Sequence, residues 1–404
     1  MQVCGGSANQ RTAFTIMMVS EQNNLCRRTV IEALIRFGEI PRTELATRTG
    51  LSRSTVTEVT QELIGCGMLA ELPVVTDGQR RGRPSVRLSF RAEYGYFAGA
   101  AISEVSSSMA LTDLRGRVLA AYELPSASDP AEVAGDIQKG MEQLLRTAAV
   151  EPASVLGLGL AVPGIVHQPS GVCSFSAVLG WRDVPIVEMV AAATRTHTCA
   201  GNDADAVAIA QKLFGAAREM ENFASIVLGR TVGCAQYMDR RLCRGHSGSV
   251  GEIGHMTIDP AGELCRCGKR GCLDTIAGGH AIRDKAKAAG LEIESMRDLE
   301  VLAAEGNLAA VELLRRAGEG LGLAVANLVQ INNPETVLFA DLEGFGNGLF
   351  YTAARQAIEN NILPRLLPST QIVFQPVEYS FLARGAAGVA AQAYLLDNAG
   401  GNGR

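Results

Sequence analysis

His255, Cys265, Cys267 and Cys272 form the array H-x9-C-x-C-x4-C inside the stretch GEIGHMTIDPAGELCRCGKRGCLD, Gly251 to Asp274. Three thiols and an imidazole complete a tetrahedral set of soft-to-borderline ligands, the set that zinc prefers. Four protein ligands leave no open place for water or substrate, so the expected cofactor is structural zinc. Gly262, Gly268 and Gly271 lie among the ligands and suit the tight turns that bring nearby cysteines onto one ion. The competing reading is ordinary buried cysteines, or a disulfide with a spare thiol. Against it, the chain has only 10 cysteines in 404 residues, and these three cluster far more tightly than scatter would give.

The elements that must hold such a site need a large core, and 47% apolar content over 404 residues is enough for two or three packed domains. Outside the array the cysteines are isolated, which suits a reducing interior rather than a disulfide scaffold. The start MQVCGGSANQRTAF lacks the charged-then-apolar order of a signal peptide, and no apolar run is long enough to span a bilayer. The expected location is cytoplasmic, with no membrane partner.

Charge is unevenly spread. Residues 1–91 carry 12 arginines, no lysine and 8 acidic residues, a balance of +4, which leaves −9 for the remainder of a chain whose net charge is −5. A basic end on an acidic body fits an N-terminal part that meets phosphate. Within it, apolar Leu25, Val30, Ile31, Leu34 and Ile35 predict a helix over Asn24 to Phe37, closed by Gly38. A short second helix, Arg42 to Thr49, ends at Gly50. A third starts after the N-cap Ser52, burying Val56, Val59, Leu63 and Ile64 while Arg53, Ser54, Thr57, Glu58 and Gln61 face out. This order is a helix-turn-helix. Two strand-like runs follow, separated by a glycine-rich tip with Arg80, Arg81 and Arg83, which reads as a wing sized for a minor groove. The DNA-facing set is Arg42, Arg53, Ser54, Thr55, Thr57, Arg80, Arg81 and Arg83.

Beyond the wing, strand-like runs at Tyr94 to Ala101, Met109 to Thr112, Val118 to Ala121 and Val155 to Val162 alternate with a helical stretch, Pro130 to Thr147. That is an α/β lobe. Pro163-Gly164 turns the chain at a strand end, and a second α/β lobe begins near Asn202 with long helices around Gly306 to Val329 and Leu349 to Asn361.

The segments SRSTVTEVTQELIGCGML, GRPSVRLSF, GEIGH and CRCGKRGC together resemble the ROK family of repressors, open reading frames and kinases, over about Gln22 to Asn398. The resemblance implies an α/β fold: a two-lobed actin-like, ribonuclease-H-like body behind an N-terminal winged helix-turn-helix. It divides the chain into a flexible N-terminus (1–21), the DNA-binding domain (22–91), a first lobe (92–200) rejoined by the C-terminal helix (384–398), and a second lobe with the zinc array (201–383). Family members with this N-terminal module are sugar-responsive transcription regulators, usually repressors. The implied partners are operator DNA, a small sugar or sugar-phosphate effector, and a second copy of the chain in a homodimer or higher homo-oligomer.

Residue by residue, Asn202 and Asp203 match the family's Asn-Asp pair, which holds sugar hydroxyls and, in kinases, supplies the base. Glu252 and His255 match its Glu-x-Gly-His. Asp274 stands where Glu is usual, and Val178 where many relatives have Asn. Such groups suit sugars because every hydroxyl needs both donor and acceptor. One nitrogen of His255 can meet zinc while the other meets the ligand. The alternative, an ATP-dependent sugar kinase, is opposed at the phosphate sites. The kinases' Asp-x-Gly-x-Thr aligns with Ala101, Ser103 and Val105, Thr231 replaces a glycine in Gly229-Arg230-Thr231-Val232-Gly233, and Ala340-Asp341 replaces Gly-Gly. The expectation is a regulator without catalysis.

Overall fold

A computed structural model describes residues 23–72, 86–103, 107–168, 170–377 and 380–397. The expected flexible segment 1–21, the wing tip with Arg80, Arg81 and Arg83, and Val105 all lie outside the described residues.

The chain opens with α1 (residues 23–37), β1 (Ile40–Pro41), α2 (Arg42–Thr49), α3 (Arg53–Gly65), β2 (Leu69–Glu71) and β3 (Arg87–Phe90). Gly38 and Gly50 close α1 and α2 in the left-handed region, at φ 67° and 71°, where a side chain would be strained. β2 and β3 pair antiparallel as the stem of the hairpin, and β1 adds to the far edge of β3.

The first lobe contains β4 (Tyr96–Ala101), β5 (Ser107–Asp113), β6 (Val118–Leu124), α4 (Pro130–Ala148), β7 (Val155–Val162), β8 (Ile165–His167), β9 (Val172–Ser176), β10 (Trp181–Val184), α5 (Ile186–Thr194) and β11 (Thr198–Asn202). Its main sheet runs β11-β7-β4-β5-β6, with β8 to β10 forming a separate small sheet. Then come α6 (Asp203–Phe214), β12 (Phe223–Leu228), β13 (Val232–Met238), β14 (Arg241–Leu242), α7 (Asp274–Ala277), α8 (Gly279–Ala288), α9 (Met296–Ala304), α10 (Leu308–Asn332), β15 (Thr336–Asp341), α11 (Leu349–Asn361), β16 (Gln371–Pro376) and α12 (Ser380–Gln392), with a widened turn over Ala393–Asp397. The second sheet runs β14-β13-β12-β15-β16. Numbered within each lobe, both sheets have the order 3-2-1-4-5, with the first three strands antiparallel and the last two parallel to the first. This duplicated ribonuclease-H-like plan is the two-lobed, actin-like fold. β12 and β15 are buried at every position, as strands covered on both faces must be.

α12 returns to the first lobe, where it packs on β4, β7 and α6. Glycine permits the approach. Gly99 and Gly159 are register partners on β4 and β7, and a Cβ at Gly159 would lie 1.9 Å from the Ala386 carbonyl oxygen. One continuous core joins Val30, Leu34, Leu63 and Phe90 of the N-terminal module to Leu114, Leu213, Leu382 and Leu395 of the body. Arg115 adds polar ties, donating to the Phe90 carbonyl and the Ser89 hydroxyl. The DNA-binding module is therefore docked on the body through buried apolar surface, and movement of either part is felt by the other.

Candidate metal centre, ligand cleft and nucleic-acid interface

The four predicted metal ligands converge. The chain from Glu252 makes a short 3-10 turn, Ile253–His255, then folds back on itself through antiparallel bridges Thr257 to Cys272 and Leu264 to Arg270. Cys265 N–H donates to Lys269 O and Gly268 N–H to Cys265 O, closing the knuckle that carries two of the thiols. Gly268 and Gly271 adopt φ 91° and 70°; Gly262 does not need a positive φ, but a Cβ there would meet Gly271 Cα at 3.0 Å. All four ligand atoms lie within 4.8 Å of one another. Cys267 and Cys272 sulfurs are 3.7 Å apart, as are Cys265 Sγ and His255 Nδ1. Two sulfurs on one tetrahedral zinc at about 2.3 Å each would be about 3.8 Å apart. Burial, with the other two thiols adding, pushes the Cys272 thiol up to about 12. A divalent cation supplies the charge that lets such a cluster exist as thiolates, so the residues fit zinc.

His255 stands between the thiols and Glu252. Its Nδ1 faces the thiols, and its Nε2 lies 3.9 Å from Glu252 Oε2. Burial raises the Glu252 carboxyl and His255 opposes the rise. Asn202 ends β11 and caps α6: its Oδ1 accepts from Ala204 N–H at 2.9 Å and its Nδ2 donates to Gly164 O at 3.0 Å. One further N–H and one lone pair of that amide remain for a ligand. Asp203, the first residue of α6, lines the cleft with Ser103, Pro163, Val178, Gly229 and Arg230. Burial raises its carboxyl to about 6, the Ala204 amide pulls it down, and the negative charge of Glu252 pushes it further up.

Asp274 departs from expectation. It is only 3% exposed, its Oδ1 accepts from Val232 N–H at 3.0 Å, and its Oδ2 lies 3.8 Å from His280 Nε2. The carboxylate braces the turn between β12 and β13 through Oδ1. Ala101 and Ser103 line the cleft and bring no carboxylate to it. Asp341 accepts from the amides of Glu343, Gly344 and Gly346, closing the loop that follows β15.

On the N-terminal module, Ser52 Oγ accepts from Thr55 N–H at 3.1 Å and lies within hydrogen-bond distance of the Ser54 and Thr55 hydroxyls. The cap starts α3 with Arg53, Ser54 and Thr57 exposed and Val56, Val59 and Leu63 buried. Thr55 is half-buried and belongs to the cap. Arg42 is turned inward, donating to Thr60 Oγ1 at 3.0 Å and to Glu71 at 2.7 Å, so it ties α2 to α3 and the hairpin stem instead of standing free on the DNA face. The linear pattern gave no sign of that pairing, nor of the arginines that meet between the module and the second lobe.

Comparison with known proteins agrees with this architecture. A model of the ROK family matches residues 104–391, and one of the IclR helix-turn-helix domain matches residues 29–73. The chain belongs to the ROK family. This ROK protein is 25% identical over 368 residues to a xylose repressor of Bacillus spizizenii, a match covering 91% of this chain and 94% of that one. The crystal structure of a ROK family transcriptional regulator, a homologue of the Escherichia coli MLC protein, superimposes with TM-score 0.78 at 27% identity, covering 93% of this chain and 98% of that chain. A ROK family glucokinase from Streptomyces griseus, in complex with glucose and AMPPNP, shares the fold with TM-score 0.65 at 21% identity and covers 74% of this chain and 100% of that chain. No helix among the described residues is long and apolar enough to cross a membrane.

Proposed function

We propose that this ROK protein is a sugar-responsive repressor of genes for carbohydrate uptake or breakdown, working in the cytoplasm as a homodimer or higher homo-oligomer on two-fold symmetric operator DNA. The observation that carries this reading is the single core shared by a helix-turn-helix and a two-lobed body. Similarity to a regulator over nearly the whole chain supports it, where similarity to a kinase covers the body alone.

In this reading Arg53, Ser54 and Thr57 of α3 face base edges in a major groove, and the wing arginines Arg81 and Arg83 reach a minor groove. Asn202, Asp203, Glu252 and the free nitrogen of His255 receive the hydroxyls of a sugar or sugar phosphate. Zinc, held by His255, Cys265, Cys267 and Cys272, would supply a rigid centre that orients the imidazole, with no coordination place left for chemistry. The missing carboxylate at Ala101 favours binding without phosphoryl transfer, which needs both magnesium and phosphate held in place. Sugar acts by favouring one arrangement of the lobes, and the shared core carries that preference to α1 and α3.

The test uses operator duplex selected from random sequence, with calorimetry over a panel of monosaccharides and their 6-phosphates. One sugar is expected to shift operator affinity by roughly 5- to 150-fold, and operator to shift affinity for that sugar by the same factor. Asp203→Ala is expected to abolish the shift, and Arg53→Ala to weaken operator binding. Equal operator affinity with every sugar, or ATP-dependent phosphorylation of any of them, refutes the proposal.

A further inference from the structure

Between the N-terminal module and the second lobe lies a cavity of about 260 Å³, separate from the cleft and the metal centre. Its wall is strongly cationic. α1 contributes Arg28 and Arg36, the β13–β14 hairpin and the residues after it contribute Arg240, Arg241 and Arg244, and α6 contributes Lys212. Glu32 and Asp397 are the acidic residues on the same wall. Arg28 is paired with Glu32 at 2.9 Å, and Arg36 with Glu221 at 3.4 Å. Asp205 and Asp397 also bear on Arg244, and Asp397 on Arg28.

These pairs do not satisfy the wall. Among the described residues, the Nε atoms of Arg36, Arg240 and Arg244 are buried and have no hydrogen-bond partner. A buried guanidinium N–H without an acceptor is costly, and three around one cavity call for an acceptor-rich occupant. Lys212 is 9% exposed and donates to the carbonyls of Ala217, Arg218 and Met220; burial, with Arg240 and Arg36 beside it, lowers its ammonium to about 8. Positive charge is crowded here in the absence of enough negative charge to balance it.

We propose that this cavity is an anion site for a phosphate-bearing small molecule, which bridges the DNA-binding module to the second lobe. A phosphate presents several strong acceptor oxygens, and arginine forks match that geometry better than any other side chain does. The contributors come from both sides of the joint, so an occupant favours the arrangement in which α1 is docked on the β13–β14 hairpin over any in which it swings away. The site is independent of the sugar cleft and does not rest on the identity of the sugar.

The experiment titrates zinc-loaded full-length protein with inorganic phosphate, pyrophosphate and glucose 6-phosphate by calorimetry at ~0.15 M ionic strength, where weak surface attraction is largely screened. The expected result is saturable binding of one phosphate compound per chain. Affinity for inorganic phosphate and pyrophosphate, which carry no sugar hydroxyls for the cleft, should fall at least tenfold in Arg36→Gln and in the double variant Arg240→Gln with Arg244→Gln, and stay within twofold of wild type in Asp203→Ala. Tighter binding of pyrophosphate or of the sugar phosphate identifies the carrier of the phosphate. Arg241→Gln, on the exposed rim, should weaken binding severalfold and keeps the test open if the double variant does not fold. No saturable binding of any probe overturns the proposal. So does a loss in Asp203→Ala with none in Arg36→Gln, which would move the anion to the cleft.

Discussion

Asp205 lies in α6 two residues beyond Asp203 and is 8% exposed. Burial raises its carboxyl to about 7 from 3.8; Arg244 opposes the rise, and Asp203 and Glu252 add to it. A carboxyl whose folded pKa exceeds its unfolded pKa binds its proton more tightly in the native state, so ionisation costs stability. The cost is absent below the unfolded pKa, grows as pH rises, and is complete above the folded pKa. A rise to about 7 sets a ceiling of about 4 kcal/mol at pH 8, of which about 1 kcal/mol is relieved between pH 8 and pH 6. Asp205→Asn removes the titration and keeps the shape. The variant should therefore be more stable than wild type at pH 8, with an advantage that shrinks by about 1 kcal/mol at pH 6 and by about 2–3 kcal/mol at pH 5. Denaturant unfolding of both proteins across this range, with zinc saturating, measures the difference, and titration of the metal ligands cancels between them. An advantage that is constant from pH 8 to pH 5, or that grows as pH falls, refutes the reasoning.

Two further outcomes follow from the geometry. Native protein should contain one zinc per chain by elemental analysis, and Cys267→Ser or chelation should lower the melting temperature and weaken sugar and operator binding together, because metal-binding free energy is folding free energy in such a site; zinc-free native protein refutes this. Gly159→Ala should destabilise the fold by about 1–3 kcal/mol through overpacking against α12, and an unchanged melting temperature would show that the helix is not held against β7 as described.

The parts of this protein that are legible in its linear order are those whose interactions are local. The metal ligands fall within one short loop, so spacing and interleaved glycines alone point to their convergence. α2 and α3 follow local signals, the Gly50 stop after the one and the Ser52 cap before the other, and each signal acts within a turn or two of its own position. The wing stem is legible for the same reason, since its two strands flank one basic, glycine-rich tip.

Tertiary structure decided what depends on partners far along the chain. Asp274 looked like a cleft carboxylate, but the amide of Val232 and the ring of His280 hold it inside, and no periodicity records that choice. Arg42 carries a charge suited to phosphate, yet Glu71 and Thr60 claim it once α2 and the hairpin stem pack together. Gly99 and Gly159 leave the space that α12, more than two hundred residues later, occupies above them. The interdomain cavity is the extreme case. Arg36 and Arg244 become neighbours only after a common apolar core has docked the module onto the body, because burial of apolar surface chooses the contact and the charges must accept the positions it gives them.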